Sequence, residues 1–225
     1  LSHLSRSQVC WVYAENSLPD LRERNGAAVW LPPRIAAGLG LGALRTFDLV
    51  YGQFAYGFHP NNLAQPHYLA FLREPRARLV AVLDEIAAGQ LVNAEKSAYL
   101  KEQSDADTFL RKYPVKWLDN GIVRRLANAG SVAFGELDDS HLQVALDRAR
   151  ANLEVALVDD RERVVELLAE RLGVQDPDGL PRPRTGRQRV TKAPYGIDPD
   201  APYLRLDRAL IDTLSAEGFL KQNVQ

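Results

Sequence analysis

His67-Tyr68-Leu69-Ala70-Phe71-Leu72-Arg73-Glu74-Pro75-Arg76-Ala77-Arg78-Leu79-Val80-Ala81 is the stretch whose reading decides the fold. Its first six residues read as a buried strand that stops abruptly at Arg73-Glu74-Pro75. From Arg76 to Ala88 the apolar residues Leu79, Val80, Val82, Leu83 and Ile86 recur at helical spacing. A proline in the first helical turn needs no amide partner. The free amides and the dipole of a helix start attract negative charge. Arg73 would add a planar, permanently charged fork suited to phosphate. The expectation is an anion site where the strand meets the helix. The residues alone leave a second reading open, in which Arg73 pairs with a nearby acid at the strand end.

Upstream, Leu49-Val50-Tyr51 is a short apolar run ending in Gly52, and Gln53 to Pro66 form a polar-aromatic loop. Residues 1–14 read as helix remains leading into a loop. Leu18 to Arg24 reads as helical, and Ala27 to Leu31 is a short apolar piece before Pro32-Pro33. Gly38-Leu39-Gly40-Leu41-Gly42 lacks the spacing of a dinucleotide loop and follows prolines instead of a strand, so it reads as a loop or helix end. Downstream, residues 91–114 are polar, with short amphipathic helices suggested by Tyr99, Leu100, Phe109 and Leu110. Asp119 or Asn120 could cap a helix carrying Arg124. Asp138 to Leu153 is an amphipathic helix on Leu142, Ala145, Leu146, Ala149 and Leu153. Val155 to Val158 reads as a strand ending at Asp159-Asp160. Arg161 to Leu172 is a helix closed by Gly173. Residues 179–202 are basic, proline-rich and aperiodic, and Leu204 to Leu220 is a closing helix.

Helices alternating with strands that are apolar throughout predict an α/β fold: three layers, with a mostly parallel central sheet flanked by helices. Ligands of such sheets bind outside the strands' carboxyl ends. Tyr51-Gly52-Gln53, Arg73 and Asp159 all fall there. The 225 residues suffice for one sizeable core and predict a single domain. A net charge of −1 gives no global attraction to nucleic acid or membrane, and the dispersed aromatics argue against nucleic acid further. No stretch is apolar enough to span a bilayer, and no signal peptide is visible. One cysteine, Cys10, excludes an internal disulfide and a cysteine zinc site, and mildly favours a reducing, cytoplasmic setting.

The quoted stretch resembles the 3′-phosphate-binding segment of the sulfotransferases that use the donor PAPS. The likeness is to the heparan-sulfate-type and bacterial members, with their strand–Leu-Arg-Asp-Pro–helix pattern. Tyr51-Gly52-Gln53-Phe54-Ala55-Tyr56-Gly57-Phe58-His59 resembles that family's Gly-His-x-x-Tyr-Gly-x-His stretch, and Asp119-Asn120 to Leu126 its Asp-Asn-x-x-x-Arg-x-Leu segment. The resemblance runs in element order over roughly residues 45–220. It implies a P-loop-NTPase-like sulfotransferase fold, PAPS as co-substrate with PAP as product, no metal, and a carbohydrate or small hydroxylated acceptor. It further implies that 91–117 are variable helices covering the acceptor and that 179–202 are a basic loop folding over the donor. The family's first strand and Pro-Lys-x-Gly-Thr phosphate loop are not visible. No Gly-x-x-x-x-Gly-Lys-Ser/Thr motif occurs, and there is no methionine. The expectation is that the strand and loop precede Leu1 in a longer chain.

Under the resemblance, Arg73 grips the donor's 3′-phosphate. The family's serine eight positions on is Ala81 here, which forgoes a charge-assisted hydrogen bond of about 1.5–3 kcal/mol. Sulfuryl transfer needs a base for the acceptor hydroxyl and cations for the departing phosphate oxygen. Gln53 stands where the family commonly has its histidine. Glutamine orients a hydroxyl but takes no proton, so His59 is the candidate base; alternatively it is a loop histidine stacked on Tyr56 or Phe58. Arg189, Thr191 and Lys192 would close over the donor, or belong to a solvated loop. Tyr56, Asn120 and Arg124 would contact substrate, or Asn120 simply caps a helix. Two further readings remain: a non-catalytic relative binding a nucleotide or anionic glycan, which Gln53 and Ala81 favour, and a P-loop kinase.

Overall fold

The computed structural model describes residues 9–12, 29–31, 49–52, 56, 68–89, 91–103, 105–172 and 195–220. The chain contacts divide it into two compact units, 1–66 and 67–225. It is a mixed α/β protein, and every strand pairing among the described residues is parallel.

The first unit contains strands β1 (Val9–Val12), β2 (Val29–Leu31) and β3 (Leu49–Gly52). Their order is β2-β1-β3, with Cys10 opposite Val29 and Val50. The helical reading of residues 1–14 is therefore overturned at Val9–Val12, which form the central strand. Val-Cys-Trp-Val is an unbroken apolar run rich in β-branched and aromatic residues, and two partners hydrogen-bond it along both edges. The apolar pieces at Ala27–Leu31 and Leu49–Tyr51 become its neighbours.

The second unit opens with β4 (Tyr68–Leu72), which pairs with β5 (Leu153–Leu157), Tyr68 lying opposite Leu153 and Leu72 opposite Leu157. Between and after them come helices α1 (Pro75–Ala87), α2 (Ala94–Gln103), α3 (Ala106–Lys112), a 3₁₀ turn (Lys116–Leu118), α4 (Gly121–Leu126), α5 (Asp139–Asn152), α6 (Arg161–Leu172) and α7 (Pro202–Ala216). Two sequence boundaries move. The strand expected at Val155–Val158 starts at Leu153, because the last apolar residue of the α5 pattern already pairs with β4. The closing helix starts at Pro202, where proline suits the first turn, and ends four residues before Leu220.

Two apolar clusters fill this unit. Leu79, Leu83 and Ile86 of α1 are fully buried with Leu100, Phe109 and Leu118. Burial of each such side chain contributes roughly 1.5–3 kcal/mol. A second cluster joins Leu72 of β4 and Val155 of β5 to Val123, Leu146, Leu206, Leu210 and Leu214. Helix α7 bridges the two: Tyr203 and Leu204 enter the first, Leu206 onward the second. Two tyrosines anchor the chain entering α7. The Tyr195 hydroxyl donates to Asp84 of α1 at 3.0 Å, and the Tyr203 hydroxyl donates to Asp107 of α3. Burial, then the acidic partner, pushes Tyr195 up to about 12.

Candidate functional site

The junction of β4 and α1 is built as its sequence suggests, with one difference. Arg73 follows the last residue of β4 and is exposed. No hydrogen bond or ion pair to its guanidinium is found among the described residues. Because β4 and β5 run parallel, Val158 and Asp159 leave the sheet on the same edge, and the Val158 amide donates to the Leu72 carbonyl at 2.7 Å. The difference is Glu74. It sits at the N-cap, and its carboxylate accepts from the amides of Arg76 (2.9 Å) and Ala77 (2.6 Å). Pro75 has no amide to offer, and the Arg78 amide donates to the Glu74 carbonyl. The expected free amides at this helix start are thus taken by the chain's own acid. The cation that directly follows the strand is Arg73. Ala81, in the helix's second turn, is half-buried and supplies no hydroxyl.

The second candidate stretch, Asp119 to Arg124, is interior. Arg124 is buried and donates five hydrogen bonds, all to the protein itself. Nη2 reaches Asp119 Oδ2 at 2.6 Å and the Ala133 carbonyl at 3.2 Å. Nη1 reaches the carbonyls of Ala129 (3.0 Å) and Val132 (2.7 Å), and Nε that of Asp119 at 3.2 Å. Asn120 is buried in the left-handed region at φ 45°, which asparagine tolerates better than most residues. Its amide nitrogen donates to Asp119 Oδ1 and the Pro202 carbonyl, and its oxygen accepts from the Leu206 and Asp207 amides. Asn120 holds the N-cap position of α4 without capping it. The cap comes from α7: Asp207, fully buried, accepts from the amides of Ile122 and Val123 at 2.8–3.1 Å. The expectation that Asp119 or Asn120 caps this helix is corrected accordingly.

Arg78 faces the same carboxylate. Its Nη2 donates to the Trp117 carbonyl at 2.7 Å, while Nη1 is buried without a partner. A Cβ on Gly121 would lie 2.1 Å from Nη2, so the guanidinium packs where only glycine leaves room. Burial raises the Asp207 carboxyl to about 6 against the pull of Arg78 and the two amides. The same burial lowers the Arg78 guanidinium.

Tyr56 occupies a turn and is half-buried. Gln53, His59, Arg189, Thr191 and Lys192 lie outside the described residues. Among the described residues no group of three or more His, Cys, Asp or Glu side chains is placed to hold a metal ion, and no helix is long and apolar enough to cross a membrane.

Sequence reasoning missed Asp207 and Arg78. Asp207 interrupts the apolar face of α7 between Leu206 and Leu210, and an acid on a buried stripe is the signal that could have found it. Compared with protein-family models, curated proteins and solved structures, the chain gives no significant match.

Proposed function

We propose that the chain is a PAPS-dependent sulfotransferase-like enzyme, moving a sulfuryl group from PAPS to a hydroxyl of a carbohydrate or small-molecule acceptor. The observation that carries this reading is the placement of Arg73. It stands exposed at the carboxyl end of a parallel strand, and no carboxylate among the described residues engages it. A guanidinium with no carboxylate partner among the described residues, at that edge, suits a terminal phosphate, which it can grip through two parallel N–H donors. The acceptor hydroxyl oxygen attacks sulfur as the bond from sulfur to the bridging phosphate oxygen breaks. PAP leaves, and the hydroxyl proton passes to a base, the role assigned to His59, with Gln53 orienting the hydroxyl. Arg189, Thr191 and Lys192 close over the donor. With this reading go the three-layer P-loop-NTPase-like fold and a cytoplasmic setting.

One observation favours a second reading, a non-catalytic relative that binds a nucleotide or an anionic glycan. Ala81 brings no hydroxyl, and the Glu74 carboxylate fills the amides a phosphate would otherwise share. Calorimetric titration with PAP, alongside turnover of labelled PAPS with a panel of glycans and alcohols, separates the two. Binding with turnover is expected, and Arg73→Ala should weaken PAP by ten-fold or more. Binding without turnover selects the second reading. No PAP binding at all removes both readings at this site.

A further inference from the structure

Residues from 91–96 and 112–117 line an open cleft of about 510 Å³, within the range of about 300–1,000 Å³ typical of small-ligand pockets. Three ammonium groups line it, those of Lys96, Lys112 and Lys116, together with the half-buried rings of Tyr113 and Trp117. Neither an acid nor an arginine lines it. The lysines are held by weak contacts and not by carboxylates. Lys112 Nζ lies 3.9 Å from the centre of the Tyr99 ring, Lys96 Nζ lies 5.5 Å from that of Tyr113, and Lys116 donates to the Ser131 carbonyl at 3.1 Å. No ion pair to any of the three is found among the described residues. The nearest acid in sequence, Glu95, accepts from the Tyr113 hydroxyl at 2.7 Å instead. Tyr113 is fixed edge-on to Tyr99 at 5.5 Å, and Phe109 packs tilted against it at 5.6 Å, so that wall is preorganised.

We propose that this cleft is a subsite for an acidic saccharide, carboxylated or sulfated. The aromatic wall offers an apolar face on which a pyranose ring can lie, and the ammoniums meet its acidic groups. The absence of arginine points away from phosphate, for which the guanidinium fork is the better match, and toward separately placed carboxylates or sulfates that point charges can meet one by one. Three cations without an ion pair among the described residues, beside an open concavity, also raise the local concentration of an anionic ligand, although the chain's net charge is −1. The acceptor role of this saccharide rests on the sulfotransferase reading above; its binding does not.

The test is calorimetric titration of the full chain at low salt with trigalacturonate and with its fully methyl-esterified counterpart, which keeps the rings and loses the charges. Trigalacturonate should bind at least ten-fold more tightly than the ester and shift the indole resonance of Trp117. Lys96→Glu and, separately, Lys116→Glu should each weaken it at least ten-fold, while the melting curve and PAP binding stay as in the parent. Equal binding of acid and ester overturns the proposal. So does full competition by inorganic sulfate at matched concentration, which marks a bare ion patch. Parent-like binding by both variants also overturns it, because the saccharide then sits elsewhere. If the saccharide binds as expected while PAP does not, the cleft stands and the sulfotransferase reading falls. If PAP binds and is turned over while trigalacturonate does not bind, the cleft falls alone.

Discussion

Arg73 and Arg124 stand in two short motifs of similar make-up, and the fold treats them oppositely. Arg73 ends a strand in solvent with no partner among the described residues. Arg124 lies 5% exposed with every nitrogen donating to the protein. Both are permanently charged, so the difference lies in what surrounds the charge. A buried guanidinium without partners is prohibitively costly, and its surroundings must therefore supply them. An exposed one needs none and stays free for a ligand. An arginine in a recognisable motif thus serves either the fold or a ligand, and counting its interior partners tells which.

The comparison breaks most sharply at Arg124. Arg124→Ala would leave the buried Asp119 carboxylate without its cation, with only the Asn120 side chain and the Gly135 amide donating to it, and would remove a donor from four carbonyls, those of Asp119, Ala129, Val132 and Ala133. We expect a loss of about 3–5 kcal/mol of unfolding free energy, read from urea denaturation. Arg124→Lys should recover only part of it, since an ammonium cannot reproduce the fork. A loss under about 1 kcal/mol for the alanine variant would mean that Arg124 is not the lock it appears from its hydrogen bonds.

How far the sequence reaches follows the same line. Helices α1, α5 and α6 were legible because their apolar residues recur at helical spacing over a dozen positions or more. Strand β1 was not, because four apolar residues fit a short strand and a helix fragment equally well. The exposed Arg73 was readable from the strand's abrupt end. The interior role of Asn120 was not, because its partners Pro202, Leu206 and Asp207 lie over 80 residues away. That of Arg124 was not either, because three of its partners are backbone carbonyls of the turn after α4, at Ala129, Val132 and Ala133, which side-chain spacing does not mark. Local spacing suggested that Asn120 caps α4; a distant acid on another helix does so instead. His141 faces the Asp138 carboxylate at 2.7 Å within the cap of α5.

The second prediction concerns that acid. Burial raises Asp207 from 3.8 to about 6 in the folded protein, with Arg78, Arg125 and Asp119 as the charged groups that also act on it. The folded state therefore holds the proton more tightly than the unfolded chain. The stability this gives is fully present below about pH 4 and is lost as pH rises through 6, by on the order of 1–3 kcal/mol. Asp138, held down to about 2 by Ser140 and His141, runs the other way: its contribution is present above about pH 4 and is lost toward pH 2. Denaturation curves between pH 4 and pH 7.5 should show the Asp207 decline in the parent and not in Asp207→Asn. Identical pH profiles would remove the buried acid from the account.

Glu74 sharpens the comparison from the other side. It is an exposed acid next to Arg73, yet its oxygens serve the α1 amides. Glu74→Ala should cost about 1 kcal/mol, the usual loss of an N-cap, measured as a lower denaturation midpoint at unchanged slope. A much larger loss would point to an ion pair with Arg73 in solution.

The smallest stability effect is expected at Arg73 itself. With no partner to strand among the described residues, Arg73→Ala should change unfolding free energy by no more than about 0.5 kcal/mol, as for surface positions generally. That near-silence makes the variant informative. A ten-fold loss of PAP affinity in a protein of parental stability can be assigned to the missing guanidinium, because no packing was disturbed. Arg73→Lys keeps the charge and loses the fork, so intermediate affinity would separate bidentate recognition from simple attraction. Two charge-matched arginines, one whose removal costs several kcal/mol of stability and one whose removal only empties a site, are the expected outcome. If Arg73→Ala instead destabilised the chain as much as Arg124→Ala, its side chain would be serving the fold, and the anion site at the end of β4 would have no cation left to hold its ligand.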